Sequence, residues 1–308
     1  MGVRWGLLST ARINDAILGG AAESDAVEVV AVGSRSLERA KAYGLPRAHG
    51  SYDELLADPE VDAVYVSLPN GMHVDWSIRA LQAGKHVLVE KPFDRRADEV
   101  TRAFDVAEQQ GLVLSEAFMW RHHPQAKRLV ELLPGIGPVR LVKATFSFPL
   151  QREGDVRWDP DLDGGSLMDV GTYCVSGARL VCGEPDAVRG LAISRHGVDS
   201  RFAGVLRFPS GALATFDCGF DLPGRDSLEV IGDAGTLFLD DPWHGKEPVI
   251  EVRRDGGTER IEVERANPYR LELEDVSAAI VEGRPPLLGR EDAVGQARVL
   301  EALLAQAA

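Results

Sequence analysis

The sequence predicts an α/β protein in two parts, an N-terminal domain of the Rossmann type and a C-terminal α/β domain with a large, mainly antiparallel open sheet. Three observations carry this reading. Residues 1–118 alternate short apolar runs with amphipathic stretches, the βαβ pattern of a parallel sheet. After Phe118 the runs alternate polar and apolar residues between short turns, as antiparallel strands do. At 308 residues the chain exceeds one ordinary core, and the boundaries fall at 1–118 and 119–308.

Five strands are read in the first part: Val3 to Leu8, Val27 to Val32, Ala63 to Leu68, His86 to Glu90 and Leu112 to Ala117. Helix punctuation lies between them. Ser51 to Glu54 has the Ser-x-x-Glu form of a capping box ahead of Leu55 and Leu56. Gly84 and Gly111 stand where helices stop before the next strand. The second part opens with a helix from Pro124 to Leu133. Val139 to Phe148, Gly190 to His196, Phe202 to Phe208, Ala212 to Phe220 and Ser227 to Leu239 read as strands. Asp255-Gly256-Gly257 turns a hairpin between Val249 to Val252 and Arg260 to Val263. In the tail, Tyr269, Leu273, Val276 and Ile280 form one apolar helical stripe, and Val294, Ala297, Leu300 and Leu304 another. Both helices need something to pack against, and the first domain is one candidate.

Composition excludes several classes of function. Apolar residues make 44% of the chain and charged residues 27%, near the globular average. No segment approaches the roughly 20 continuous apolar residues of a membrane span. A net charge of −14 without a basic stripe argues against nucleic acid as partner, because that affinity comes from clustered Lys and Arg. Cys174, Cys182 and Cys218 are odd in number and lack C-x-x-C spacing, so neither a disulfide framework nor a cysteine zinc site is expected. His122 and His123 are adjacent and point apart on a helix, so no metal site is expected there. The N-terminus runs straight into a strand with no signal-type apolar region, which reads as cytoplasmic.

The first strand leads into Ser9-Thr10-Ala11-Arg12-Ile13-Asn14, where a dinucleotide-binding fold places its Gly-x-Gly-x-x-Gly turn. All three glycines are replaced, by Ser9, Ala11 and Asn14, yet small residues at the first two still admit a pyrophosphate to the helix N-terminus. The second strand ends in Ser34-Arg35-Ser36, where an acid would hold the ribose 2′-hydroxyl of NAD. A guanidinium and two hydroxyls, with Arg12 and Arg39 in reach, suit a 2′-phosphate instead, so NADP is favoured over NAD. Leu68-Pro69-Asn70 closes the third strand and offers Asn70 to the nicotinamide-side ribose or carboxamide. His73 starts the next helix, where it serves the cofactor or ties down the loop backbone.

In open parallel sheets ligands bind beyond the carboxyl ends of the strands, so Glu90 and Lys91 face that crevice and Pro92 ends the strand rigidly. An incidental ion pair in a solvated turn is the alternative. Further on, Gly164-Gly165-Ser166-Leu167-Met168-Asp169-Val170-Gly171-Thr172-Tyr173 spaces an acid and a phenol four apart, which on a helix places both on one face. The glycines let that helix start close to a ligand. Equally, Asp169 suits a helix dipole and Tyr173 a half-buried core position. Arg121 frames the nicotinamide, the substrate or a salt bridge at the domain junction, and Arg157 and Trp158 precede the glycine run as candidate substrate residues.

Together, Leu-Pro-Asn-Gly-Met-His at 68–73, Glu-Lys-Pro at 90–92, Glu-Ala-Phe-Met-Trp-Arg at 116–121 and Gly-Gly-Ser-Leu-Met-Asp-Val-Gly-Thr-Tyr at 164–173 resemble the glucose–fructose oxidoreductase and inositol dehydrogenase (Gfo/Idh/MocA) family. Order and spacing agree along nearly the whole chain. Many members carry His at the position of Tyr173, and the Tyr version resembles the branch with NADP-dependent xylose dehydrogenases and dimeric dihydrodiol dehydrogenases. The glycine-poor first turn departs from the pattern. The resemblance implies a Rossmann domain that binds NADP, a second domain whose open sheet mediates a homodimer or homotetramer, and an active site between the two. It also implies catalytic roles for Lys91, Asp169 and Tyr173 and a cis Lys91–Pro92 bond.

The expected activity is hydride transfer between a nicotinamide and a small-molecule carbohydrate, polyol or related diol. A phenol with pKa about 10 is a poor base at neutral pH, and a neighbouring ammonium lowers that value. Tyr173 is therefore read as acid/base, Lys91 as its electrostatic partner and substrate hydroxyl donor, and Asp169 as orienting substrate or Lys91, with Lys91 carrying the proton as the reverse assignment. A non-catalytic dinucleotide sensor of the same fold is the alternative function, and reduction of a non-sugar carbonyl or double bond a third.

Overall fold

The computed structural model describes residues 2–306, which divide into two units. One runs to His122 and includes Asn267–Val294; the other holds His123–Ala266 and the residues from Gly295 onward.

The first unit is built on β1 (Val3–Leu8), β2 (Val27–Gly33), β3 (Arg47–His49), β4 (Ala63–Val66), β5 (His86–Glu90) and β6 (Leu114–Ala117). They form one sheet in the order β3-β2-β1-β4-β5-β6, every pairing parallel. This is the strand order of a Rossmann sheet, with β1 beside the point where the order reverses. All of β4 is buried, as expected of a strand covered on both faces. β3 was not among the five expected strands. Arg-Ala-His carries no apolar run, and the strand is held by its pairing with β2 and by Asp58, which accepts from Arg47 at 2.5 Å and lies 2.9 Å from His49.

Six helices accompany these strands: α1 (Asn14–Ala22), α2 (Leu37–Lys41), α3 (Tyr52–Leu56), α4 (His73–Gln82), α5 (Ala97–Gln110) and α6 (Met119–His122). Ser51 caps α3 by accepting the Glu54 N–H at 3.1 Å, while Glu54 reaches back to the Gly50 N–H at 2.8 Å. Gly111 ends α5 at φ +65°, the left-handed conformation that a Cβ would disfavour.

In the second unit α7 (Pro124–Leu132) precedes β7 (Val139–Ser147), and a π-turn (Leu167–Gly171) runs into α8 (Thr172–Cys182). Then follow β8 (Ala187–Arg195), β9 (Val198–Arg207), β10 (Leu213–Gly219), β11 (Arg225–Gly232), β12 (Gly235–Leu239), β13 (Val249–Arg254) and β14 (Gly257–Glu262). Their order is β14-β13-β12-β11-β7-β10-β9-β8, antiparallel throughout except for β7 with β10. Ser227 to Leu239, expected as one strand, is the hairpin of β11 and β12. The chain reverses between the paired Gly232 and Gly235, where the buried positions change from Leu228 and Val230 to Leu237 and Leu239, an odd separation that one continuous strand of period 2 would not show. Val142, Ala144, Ala214, Phe216, Leu228 and Val230 are buried on the sheet face that α8 packs against. The opposite face leaves Leu191, Ile193, Val205 and Leu213 exposed.

Of the tail helices, α9 (Pro268–Glu282) starts at Asn267, whose side-chain Oδ1 accepts the Tyr269 and Arg270 N–H groups at 3.2 and 3.4 Å, and α10 (Arg290–Leu304) follows. The expected stripe on α9 joins the first unit's core: Leu273 and Val276 cluster with Trp5, Ile17 and Tyr65. Trp5 Nε1 donates to Ser277 Oγ at 3.1 Å. At their crossing, a Cβ on Gly20 of α1 would stand 2.7 Å from the Arg270 nitrogen. Backbone cannot yield as a side-chain tip can, so Gly20→Val is expected to cost about 2–3 kcal/mol, read as a lower denaturant midpoint at unchanged slope.

Candidate active site

In the first unit the turn after β1 keeps a glycine's backbone without glycine. Ser9 sits at φ +149°, a conformation L-residues rarely adopt. Its hydroxyl donates to the Ser67 carbonyl at 2.9 Å and accepts the Ala11 N–H at 3.1 Å. Asn14, fully buried, donates to the Ser9 carbonyl at 2.9 Å and accepts from the Ser67 hydroxyl at 2.8 Å. Side-chain hydrogen bonds thus hold the turn that three glycines would otherwise permit. Thr10, Ala11, Arg12 and Ile13 follow, and no side chain caps α1, so its N-terminus retains the character of an anion site. Asn14 was read only as the replacement of a third glycine and Ser67 escaped the sequence reading, although a serine ending a strand opposite a glycine-less turn was the available signal.

At the end of β2, Ser34 is buried and accepts the Ser36 N–H at 3.3 Å, while Ser36 caps α2 by accepting the Arg39 N–H at 3.4 Å. Both hydroxyls serve the loop, and Arg35 and Arg39 are the exposed groups beside it. Leu68 and Pro69 lead into a 3₁₀ turn beginning at Asn70. Of the two roles expected for His73, the structure shows the tie to the loop backbone. His73 is 1% exposed, with Nδ1 2.8 Å from the Pro92 carbonyl and Nε2 2.7 Å from the Leu68 carbonyl. It therefore ties the loop after β4 to the loop after β5, and burial pulls its pKa down.

That second loop carries Glu90, Lys91 and the cis Lys91–Pro92 bond. Glu90 Oε1 accepts the Tyr65 hydroxyl, and its Oε2 accepts the Lys91 N–H at 3.2 Å. Phe93 N–H donates to buried Glu116 at 2.8 Å, which anchors the chain just past the turn. Arg121 Nη1 pairs with Asp292 at 3.2 Å, a salt bridge of the kind expected as the alternative to framing the nicotinamide or substrate.

In the second unit the glycines before the π-turn serve close packing. A Cβ on Gly164 would stand 2.5 Å from the Arg157 carbonyl, and one on Gly165 would stand 2.2 Å from Asp199 Oδ1. This corrects the expectation that they admit a ligand. Asp199, also unforeseen, caps the π-turn by accepting Ser166 Oγ at 2.6 Å and the Leu167 N–H at 2.7 Å. Asp169 lies within the π-turn and Tyr173 at the start of α8, so the expected α-helical spacing spans an i→i+5 turn, a feature common at functional sites. Asp169 accepts Arg157 Nε at 2.7 Å, and that carboxylate pushes the arginine's pKa up. Tyr173 is 9% exposed, with its ring edge-on to Phe146 at 5.3 Å and tilted on Trp243 at 5.9 Å. Trp158 meets Phe220 and His196 edge-on and lines a cavity of about 910 Å³ with Arg152 and Arg195.

Beyond Phe146, His244 Nδ1 lies 3.1 Å from Asp226 and 3.5 Å from Asp241. The Asp226 and Asp241 carboxylates raise its pKa to about 9. Burial works against Asp241, yet the bonds from His244 and the Lys246 N–H hold it at about 2. A raised histidine stabilises the folded state fully below its unfolded value of about 6.5 and loses that contribution as pH rises through about 9. Because the ring is 39% exposed, the expected loss is about 1–2 kcal/mol of unfolding free energy between pH 6.5 and 9.5. Urea titrations at both pH values read it, and His244→Asn should flatten the difference.

Similar proteins share this whole plan. The family model described as an oxidoreductase family with an NAD-binding Rossmann fold matches residues 4–118, and that of the GFO/IDH/MocA C-terminal domain matches residues 125–238. A D-xylose 1-dehydrogenase (NADP(+)) from Haloferax volcanii is 40% identical over 97% of this chain and 95% of its own length. The trans-1,2-dihydrobenzene-1,2-diol dehydrogenase of Mus musculus is 33% identical over 82% of this chain and 79% of its own. The crystal structure of a 3-ketoreductase from Actinomadura kijaniata in complex with NADP and TDP-benzene superposes with a TM-score of 0.95 at 30% identity, covering 100% of this chain and 98% of that one. Among the described residues no helix is long and apolar enough to cross a membrane.

Proposed function

This chain belongs to the GFO/IDH/MocA oxidoreductase family, and from that premise we propose that it transfers a hydride between NADP and a carbinol carbon of a sugar, polyol or related diol. The observation that supports this most is the similarity, over nearly its full length, to a xylose dehydrogenase whose name specifies NADP(+). The first unit fits a dinucleotide: the Ser9 turn keeps a glycine-like backbone and α1 has an uncapped N-terminus. Ser9, Thr10, Ala11, Arg12 and Ile13 would hold the pyrophosphate. Arg35 and Arg39 would hold the 2′-phosphate, with Ser34 and Ser36 shaping their loop, and Leu68, Pro69, Asn70, Glu90 and Lys91 would face the nicotinamide half. When bound, the nicotinamide supplies the hydride acceptor or donor.

The protein's own part is to place the substrate and move a proton. Tyr173 takes the hydroxyl proton as the alcohol is oxidised and returns it in reduction, Lys91 favours the phenolate and donates to the substrate oxygen, and Asp169, steadied by Arg157, orients the substrate. Arg157 and Trp158 border the sugar. The exposed apolar row on the second sheet suits burial in a homodimer or homotetramer, which sedimentation velocity reads.

Calorimetric titration with NADP(H) and NAD(H), followed by an absorbance screen across aldoses, polyols, keto sugars and dihydrodiols, tests the proposal. Tight NADP binding with turnover of one of these classes is expected. Binding without turnover would favour a sensor, and binding of neither dinucleotide would overturn the reading.

A further inference from the structure

Gln296 is a buried polar residue that none of the roles above uses. It lies on α10 with 1% of its surface exposed, and both polar atoms of its amide are bonded to α8. Nε2 donates to the Thr172 carbonyl at 2.8 Å and to Thr172 Oγ1 at 2.9 Å, while Oε1 accepts from Arg179 Nη1 at 2.9 Å. Thr172 and Arg179 stand about two turns apart on one face of α8, where the carbonyl points along the helix and the arginine leans back toward it, so one amide reaches both. Arg179 is itself fixed: it is buried and donates to Glu184 Oε1 at 2.5 Å and Oε2 at 3.1 Å. A Cβ on Gly295, the residue before Gln296, would stand 2.3 Å from Arg179 Nη2, so the bare backbone at 295 lets α10 come this close. The group held at the other end of the amide is the one next to the chemistry. The Thr172 carbonyl and the Tyr173 nitrogen belong to one planar peptide, so fixing that carbonyl fixes the backbone from which the Tyr173 side chain departs. This peptide also follows directly on the π-turn, where the helix changes from an i→i+5 to an i→i+4 ladder. A bond from outside α8 therefore sets the orientation of its first turn.

We propose that Gln296 is a positioning residue for Tyr173, its amide clamping the Thr172–Tyr173 peptide to Arg179 so that the phenol is presented in one orientation. The proposal rests on the reading that Tyr173 moves the proton in hydride transfer. The phenol oxygen stands at the far end of a long side chain, so a small rotation of the peptide is magnified there, and a misplacement of about 1 Å at a reacting group costs about 10²-fold in rate.

Gln296→Glu in the full-length protein keeps the shape and the acceptor for Arg179 but turns an acceptor toward the Thr172 carbonyl. Gln296→Met, of similar length, removes both bonds and replaces it if the acid impairs folding. Either variant should lower kcat about 10–100-fold while KM for NADP and for substrate stays within about threefold, in protein that a urea titration shows to be folded under assay conditions. Introduced into Tyr173→Phe, the same substitution should lower kcat no further, because the group it aims is already gone. Unchanged kcat in the single variants, or losses that multiply in the double variant, would overturn the proposal and make Gln296 a packing residue only. Near-UV circular dichroism reads the orientation without turnover. The tyrosine band obtained as wild type minus Tyr173→Phe reports that ring against Phe146 and Trp243, and it should change when the same difference is taken in the Gln296→Glu background. An identical band would also overturn the proposal. Full kcat in Tyr173→Phe alone would instead refute the proton role given to Tyr173, while the band would still report whether the clamp holds its ring.

Discussion

Lys91→Ala and Tyr173→Phe are each expected to lower kcat by about 10²–10⁴-fold while NADP affinity stays within about threefold of the wild type. Tyr173→Phe removes one oxygen from a side chain whose ring is already held by Phe146 and Trp243, so packing survives and the loss reports chemistry. Lys91→Ala removes an ammonium from a turn anchored independently by the Phe93–Glu116 hydrogen bond and by His73. Single-turnover rates and calorimetric titration on the same variants separate the two quantities. The pH dependence then assigns the proton: if Tyr173 carries it, Lys91→Ala shifts the basic limb of kcat/KM toward higher pH, because the phenol loses the charge that favours its ionised form. A limb that stays in place in Lys91→Ala and persists in Tyr173→Phe would move the acid/base role away from Tyr173.

The second large effect concerns cofactor choice. Arg35→Ala is expected to weaken NADP binding about 10–100-fold and leave NAD binding unchanged. A hydrogen bond to a charged group contributes about 1.5–3 kcal/mol, and a tenfold change in affinity corresponds to about 1.4 kcal/mol. Arg35 is exposed after β2, whereas the neighbouring Ser34 and Ser36 hydroxyls are engaged by the loop backbone, so discrimination falls on the guanidinium. Arg39→Ala should add to the loss, and higher salt should narrow the gap between the two dinucleotides. Equal weakening of NADP and NAD would place Arg35 in the general shape of the turn and remove it from 2′-phosphate recognition.

Much of the fold was legible because its signals are local. The apolar runs of β1, β2, β4, β5 and β6 announce strands wherever they pack, Ser51 with Glu54 announces a helix start, and Gly111 a helix end. β3 was not legible, since Arg-Ala-His becomes a strand only through pairing with β2 and through Asp58. The β11–β12 hairpin was missed although the alternation changes phase between Val230 and Leu237, because the turn is only Asp233 and Ala234 between two apolar runs. At the candidate site, residue types and order pointed to Glu90, Lys91, Asp169 and Tyr173. The functions of their supports were not visible: Asp199 capping the π-turn, Gly164 and Gly165 passing close to Arg157 and Asp199, and His73 reaching the Pro92 carbonyl are contacts that no repeating local pattern announces.

By itself the sequence determined the α/β class, the alternation of strand and helix, the family motifs and the kinds of chemical group available, because these depend on side-chain type and on spacing within a few residues. Only the tertiary structure decided that Ser67 and Asn14 stand in for a glycine turn, that Arg157 is bound to Asp169, that Arg121 is bound to Asp292, and that Glu272 is sealed from water. The physical reason is that burial and hydrogen-bond partnership belong to pairs of residues brought together by folding, and no local pattern encodes who the partner will be.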